Sequence, residues 1–205
     1  QTAAAAPTAR ASPTPRAPSV VTPVGVSTWA TRMSGISAAI GISKSAPDGH
    51  LLFFGSNAAL SIAAAMNPKL PYDPLRDLAP ITMAVEFANV LVVQPSLQAN
   101  TLAEFVKLAK EKPGTVTYGS SGIGGAGHLA GELLRLMAGI DIVHVPYKGG
   151  GPAMQGMLGG QVSAIFATPV TAGPHIRAGK IRAIATTGAA RSAYLPDVPT
   201  IAESG

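Results

Sequence analysis

The chain has 205 residues, 47% of them hydrophobic, 12% charged and 5% aromatic, which is long enough to bury a core and too apolar for disorder throughout. The absence of Cys excludes disulfide staples, Cys-ligated zinc, iron–sulfur clusters and thiol nucleophiles. The net charge of +5 is unevenly placed: Arg10, Arg16, Arg32 and Lys44 all precede the first acid, Asp48. The nearly neutral remainder offers neither the basic stripe nor the aromatic platform that nucleic acid requires.

In chain order, residues 1–44 read as a low-complexity, disordered or aberrant segment, rich in Ala, Pro, Ser, Thr and Arg and without a period of 3.6 or 2. The segment starts without Met and has no apolar stretch of the kind found in an intact secretory signal. HLLFFGS (50–56) predicts a buried strand, and Asn57 to Met66 an Ala-rich helix that stops before Asn67-Pro68. The Pro-rich crossing PKLPYDPLRDLAP cannot be helix interior. ITMAVEF and NVLVVQ each have strand length and composition.

Thr101-Leu-Ala-Glu104 is a capping box opening a helix that ends before Pro113-Gly114. Beyond it strand and helix alternate. Strands are expected at TVTYGS (115–120), IDIVHV (140–145), VSAIFAT (162–168) and IRAIATT (181–187), with helices at about 127–138, 151–158 and 171–178 between them. Short helical crossovers imply parallel pairing and right-handed βαβ units, so residues 101–190 read as a compact α/β lobe.

The most informative segment is Tyr118-Gly-Ser-Ser-Gly-Ile-Gly-Gly-Ala-Gly127, a Gly-rich loop between a strand and the helix HLAGELLRLMAG. Gly122 to Gly127 satisfies GxGxxG, but a dinucleotide site also wants an acid at the carboxyl end of the next strand. Asp141 stands at the start of that strand, whose end is Val145-Pro146-Tyr147-Lys148. Two readings of the loop remain open: an anion cradle of free backbone N–H groups at a helix N-terminus, helped by the Ser120 and Ser121 hydroxyls, or a tight turn allowing close packing. The other strand ends, Gly55-Ser56-Asn57, Tyr147 to Gly150 and Ala167-Thr168, are small or polar. They contain no acid–base pair, metal cluster or activated nucleophile, so no enzyme activity is expected. Of the four His residues, His144 reads as a packed core residue. His128, in the first turn after the loop, either faces the anion or bonds a neighbour.

The run SAPDGHLLFFGSNAAL, PKLPYDPLRDLAPITM, NVLVVQPSL, HLAGELL with DIVHVPYKGG, then HIRAGK and LPDVPT, resembles the tripartite tricarboxylate transporter receptors, or Bug-type solute receptors, over about residues 45–205. The resemblance implies an α/β, periplasmic-binding-protein type II-like fold: two lobes with largely parallel sheets, the first incomplete. On it, residues 45–100 form a partial first lobe, 101–195 the second lobe, and 196–205 the start of a return to the first. It implies a periplasmic, monomeric, non-catalytic receptor that closes about a hinge on a small dicarboxylate or tricarboxylate, needs no cofactor and signals to membrane transporter subunits. The ligand-binding residues carried over by position are Ser56 and Asn57 from the first lobe, and Ser120, Ser121, Gly122, Ile123, Gly124, Gly125, His128 and Thr168 from the second.

Two departures from the family qualify this expectation. Residues 1–44 lack the strand and Pro-Gly-Gly loop with which members begin, consistent with a corrupted coding segment, and the chain stops where members continue. Many relatives have Asp where Ala167 stands, so a plain carboxylate is expected over an amino acid. The alternatives are a nonfunctional truncated fragment of such a receptor and a dinucleotide-binding oxidoreductase.

Overall fold

The computed structural model describes residues 35–205. Five strands, β1 (Val90–Val93), β2 (Val116–Ser120), β3 (Ile142–Pro146), β4 (Ala164–Ala167) and β5 (Arg182–Thr186), form one sheet in the order β3-β2-β4-β1-β5. Helices α3 (Leu102–Glu111), α4 (Ala126–Ala138), α5 (Gly150–Leu158) and α6 (Pro169–Arg177) alternate with them. Ahead of the sheet come α1 (Ile36–Ser43) and a π-helical turn (Ala58–Ile62) that runs into the short α2 (Ala63–Met66).

The capping box forms with a shifted second half: Thr101 Oγ1 accepts from the Glu104 N–H at 3.2 Å, while the Glu104 carboxylate reaches past Thr101 to the Asn100 N–H at 2.6 Å. Leu102, Phe105 and Ala109 form the buried stripe of α3. Helix α4 ends on Gly139 in the left-handed region, with the Ile140 N–H bonded to the Arg135 carbonyl, a Schellman-type stop that buries Ile140.

Parallel pairing, expected from the helical crossovers, holds for β2 with β3 and for β2 with β4. Strand β1 departs from it, running antiparallel to both its neighbours, β4 and β5. A βαβ crossover fixes only the strands it joins, and the β4–α6–β5 crossover skips a slot that β1 enters from the opposite direction. Because helices cover both faces of the sheet, all four residues of β1 are buried: Leu91 and Val93 join a cluster with Phe105, Tyr118 and Leu134, whereas Val90 and Val92 pack with Met154, Met157 and Ile165. Strand β1 is therefore the second strand from the β5 edge of the sheet.

Other expectations are corrected. Within 1–44, residues 36–43 are helical, with Ala39 packed on Ala59 and Tyr72; the remainder of that segment up to residue 34 lies outside the described residues. Neither 50–56 nor 81–87 forms a strand. Leu52, Phe54, Ile81 and Met83 are each more than 70% exposed, and no described residue offers these segments a ladder partner. At the C-terminal side, Thr186 N–H donates to the Pro199 carbonyl at 2.8 Å and Ile201 N–H to the Thr186 carbonyl at 2.9 Å, so residues 199–201 lie against β5. Among the described residues, no helix is long and apolar enough to cross a membrane.

Candidate functional site

The carboxyl ends of β2, β3 and β4 lie along one edge of the sheet, and each leads directly into a helix: β2 into α4, β3 into α5, β4 into α6. Three helix N-termini, at Gly125, Gly149 and Thr168, thus gather on that edge with their partial positive charge. The charge pattern suits an anion.

The loop between β2 and α4 is shaped by its glycines. Gly122 has φ 138° and Gly124 φ 76°, both in the region that side chains disfavour. Gly127 and Gly131 let α4 lie close on the sheet. A Cβ at Gly127 would sit 2.7 Å from the Phe166 carbonyl oxygen, and one at Gly131 would overlap the Tyr118 ring. Gly122 and Gly124 thus set the course of the loop, their N–H groups bonded to Ser120 Oγ and His128 Nδ1, while Gly127 and Gly131 permit the close packing.

Inside the loop, Ser120 is only 1% exposed, and its Oγ lies 2.7 Å from His144 Nε2 and accepts from the Gly122 N–H at 3.1 Å. His128 Nδ1 accepts from the Gly124 N–H at 3.1 Å, so that nitrogen carries no proton. The His128 and His144 rings lie 4.2 Å apart between centroids, and the Tyr118 ring lies 4.9 Å from His144. Burial, and after it the charge His128 can carry, hold the His144 pKa below its ordinary value. Behind the histidines, Tyr118 donates to Glu132, which also pairs with Arg135 at 2.8 Å.

The remaining expected site residues divide into two groups. Ser121 is exposed with its carbonyl taken by the Gly149 N–H, Ile123 is 70% exposed, and Gly125 donates to the Gly122 carbonyl and caps α4. Thr168 caps α6, its Oγ1 accepting from the Thr171 N–H at 3.3 Å. These residues share the edge with Ser120, Gly122, Gly124 and His128. Ser56 and Asn57 are exposed at the start of the π-helical turn and make no hydrogen bond to the loop among the described residues. That helical segment meets the loop further along: a Cβ at Gly124 would lie 3.6 Å from Ile62 Cγ2 and 3.7 Å from Met66 Sδ.

His144 was expected in the core. It is only half buried and is directed to Ser120. The available signal was its place next to the carboxyl end of a strand, opposite Tyr118 in register. Sequence reading also passed over Asn89, buried at the start of β1, whose N–H donates to Thr187 Oγ1 at 2.9 Å on the same edge. Asp141 lies at the other end of β3, its carbonyl accepting from the Gly114 N–H, so no acid stands where a dinucleotide ribose would need one. Ala167, the last residue of β4, is buried and uncharged.

The family model for the tripartite tricarboxylate transporter family receptor matches residues 23–205, starting upstream of residue 45, where the resemblance was read to begin. Protein BugT of Bordetella pertussis is 38% identical over 83% of this chain and 53% of its own length. A Rhodopseudomonas palustris protein solved with adipate superposes with TM-score 0.79 at 32% identity, over 83% of this chain and 57% of its own. A second protein from that organism, MatC with bound malate, gives 0.75 at 31% identity over 83% and 58%. The chain spans about half the length of the curated relatives it matches.

Proposed function

Because this chain belongs to the tripartite tricarboxylate transporter receptor family, we propose that it serves in non-catalytic capture of a small organic dicarboxylate or tricarboxylate in the periplasm, for delivery to membrane transporter subunits. The observation that carries this reading is the edge where the Ser120–Gly125 loop and three helix N-termini converge. Backbone N–H groups and the Ser121 hydroxyl hold a carboxylate by charge-assisted hydrogen bonds, and Thr168 closes one side. The adipate and malate bound by the two structural relatives belong to the same chemical class. Ala167 leaves no charge for a ligand ammonium group, which favours a plain carboxylate over an amino acid.

Calorimetric titration of the chain with malate, adipate, citrate, aspartate, glutamate and NAD tests this. Binding of malate, adipate or citrate in preference to the two amino acids is the expected result; tighter binding of aspartate or glutamate overturns the selectivity, and a response to NAD alone overturns the reading. A second reading rests on the exposure of Leu52, Phe54, Ile81 and Met83, apolar side chains over which no described residue closes. On that reading the chain folds around its sheet and binds nothing measurable, and no thermal shift appears with any carboxylate.

A further inference from the structure

The two histidines beside the loop come from successive elements, α4 and β3, and lie ring beside ring, and each bonds a different part of the loop. His144, from β3, reaches the loop's first residue through Ser120 Oγ at 2.7 Å, and His128, from α4, reaches its apex through the Gly124 amide at 3.1 Å. The Ser120 hydroxyl has one proton, and the Gly122 carbonyl lies 3.1 Å away as a second acceptor for it. When His144 Nε2 carries a proton, it donates to Ser120 Oγ and the hydroxyl turns to Gly122; when it carries none, the hydroxyl turns to His144. The state of one imidazole therefore sets the direction of a hydroxyl inside the loop.

We infer that His128 and His144 are positioning residues that preset the Gly-rich loop for its anion, and that a proton at His128 Nδ1 releases the loop apex. This rests on the reading of the loop as the carboxylate site. The Gly124 N–H points at a lone pair that protonation would replace with a second N–H, and two facing donors repel. The groups facing the pair are Tyr118 from β2 and Glu132 from α4, with Arg135 behind Glu132. With the rings 4.2 Å apart, a charge on His128 opposes a second one on His144.

The test has a readout that needs no ligand. In the full chain, the Gly124 amide and the Cε1 protons of both histidines are followed by NMR from pH 8 to pH 5, in the wild type and in His128→Asn, His128→Ala and His144→Gln. His128→Asn, whose side-chain oxygen replaces Nδ1 as an acceptor, is expected to keep the Gly124 amide position and abolish its titration. His128→Ala is expected to shift that amide at every pH. His144→Gln is expected to leave the Gly124 titration in place while moving the Gly122 amide. Calorimetry with malate or adipate then compares pH 7.5 with 5.5, the wild type losing about fivefold more affinity than His128→Asn, the worth of one neutral hydrogen bond. A wild-type Gly124 amide that does not titrate, or that titrates equally in His128→Asn, overturns the inference whether or not a carboxylate binds. If the amide titrates as stated and no carboxylate binds at any pH, the positioning holds and the carboxylate reading falls.

Discussion

The Tyr118 hydroxyl donates to Glu132 Oε1 at 2.8 Å, tying β2 to α4 directly behind the loop, with Arg135 on the other carboxylate oxygen. Burial pushes the Tyr118 pKa up, and the bond to Glu132 pushes it further the same way. For Glu132, burial raises the pKa, but the hydrogen bonds from Tyr118 and Arg135 outweigh it, and the net shift is downward.

A carboxylate with a depressed folded-state pKa stabilises the fold above its unfolded value, near 4.3, and that contribution disappears as pH falls through the lower folded value. Glu132→Gln should therefore cost about 1 to 2 kcal/mol at pH 7 by denaturant titration, with the difference from wild type narrowing as pH falls below about 4. A difference that stays constant with pH would show that the pair owes nothing to the charge.

Gly131→Ala should destabilise the chain by about 1 to 3 kcal/mol, although Ala is the better helix former by about 1 kcal/mol, because the added methyl group overlaps the Tyr118 ring. A rise in the urea midpoint would mean that α4 can lift off the sheet without penalty. Gly139→Ala is the contrasting case: a Cβ there meets nothing within 4 Å, so its expected loss of about 1 kcal/mol reports the left-handed backbone at φ 60° and not a steric overlap.

Ala167→Asp places a carboxylate at the end of β4, on the edge where the ligand anion is proposed to sit. Calorimetry should show dicarboxylate affinity falling by about tenfold or more, with aspartate or glutamate gaining relative to malate. Unchanged malate affinity would place the ligand elsewhere.

Thr101→Ala removes the cap of α3 at the opposite edge of the sheet from the loop. A loss of about 1 kcal/mol in stability, with carboxylate affinity unchanged, is the expected outcome. Paired with Thr168→Ala, which removes a cap and a proposed ligand contact together, it separates loss of fold from loss of binding.

What the sequence makes legible follows from how local the physics is. Helix α3 is fixed by its own capping box and α4 by Gly139, and β2 to β5 by short apolar runs between turns, so these elements lie within a residue or two of expectation. The direction of β1 was not legible, since nothing within Val90–Val93 records that β4 and β5 leave a slot for an antiparallel strand. Residues 50–56 and 81–87 do carry an apolar pattern, but a strand is a property of two segments and no described residue pairs with these. Within the site, the loop and its glycines stand out from spacing alone. The His144 contact with Ser120 depends on the register of β2 and β3, which no single segment encodes.

Strand β1 is the first of the five to leave the ribosome, yet both strands that pair with it are encoded near the other end of the chain. Four consecutive residues that finish fully buried must stay unpaired until β4 and then β5 have been made, across loop closures that are slow because they are long. The sheet therefore cannot be assembled outward from its earliest strand. Val90–Val93 is the segment that a chaperone has most reason to shield during synthesis, and a charge placed at Val92 would act on the yield of folded chain before it acted on any ligand.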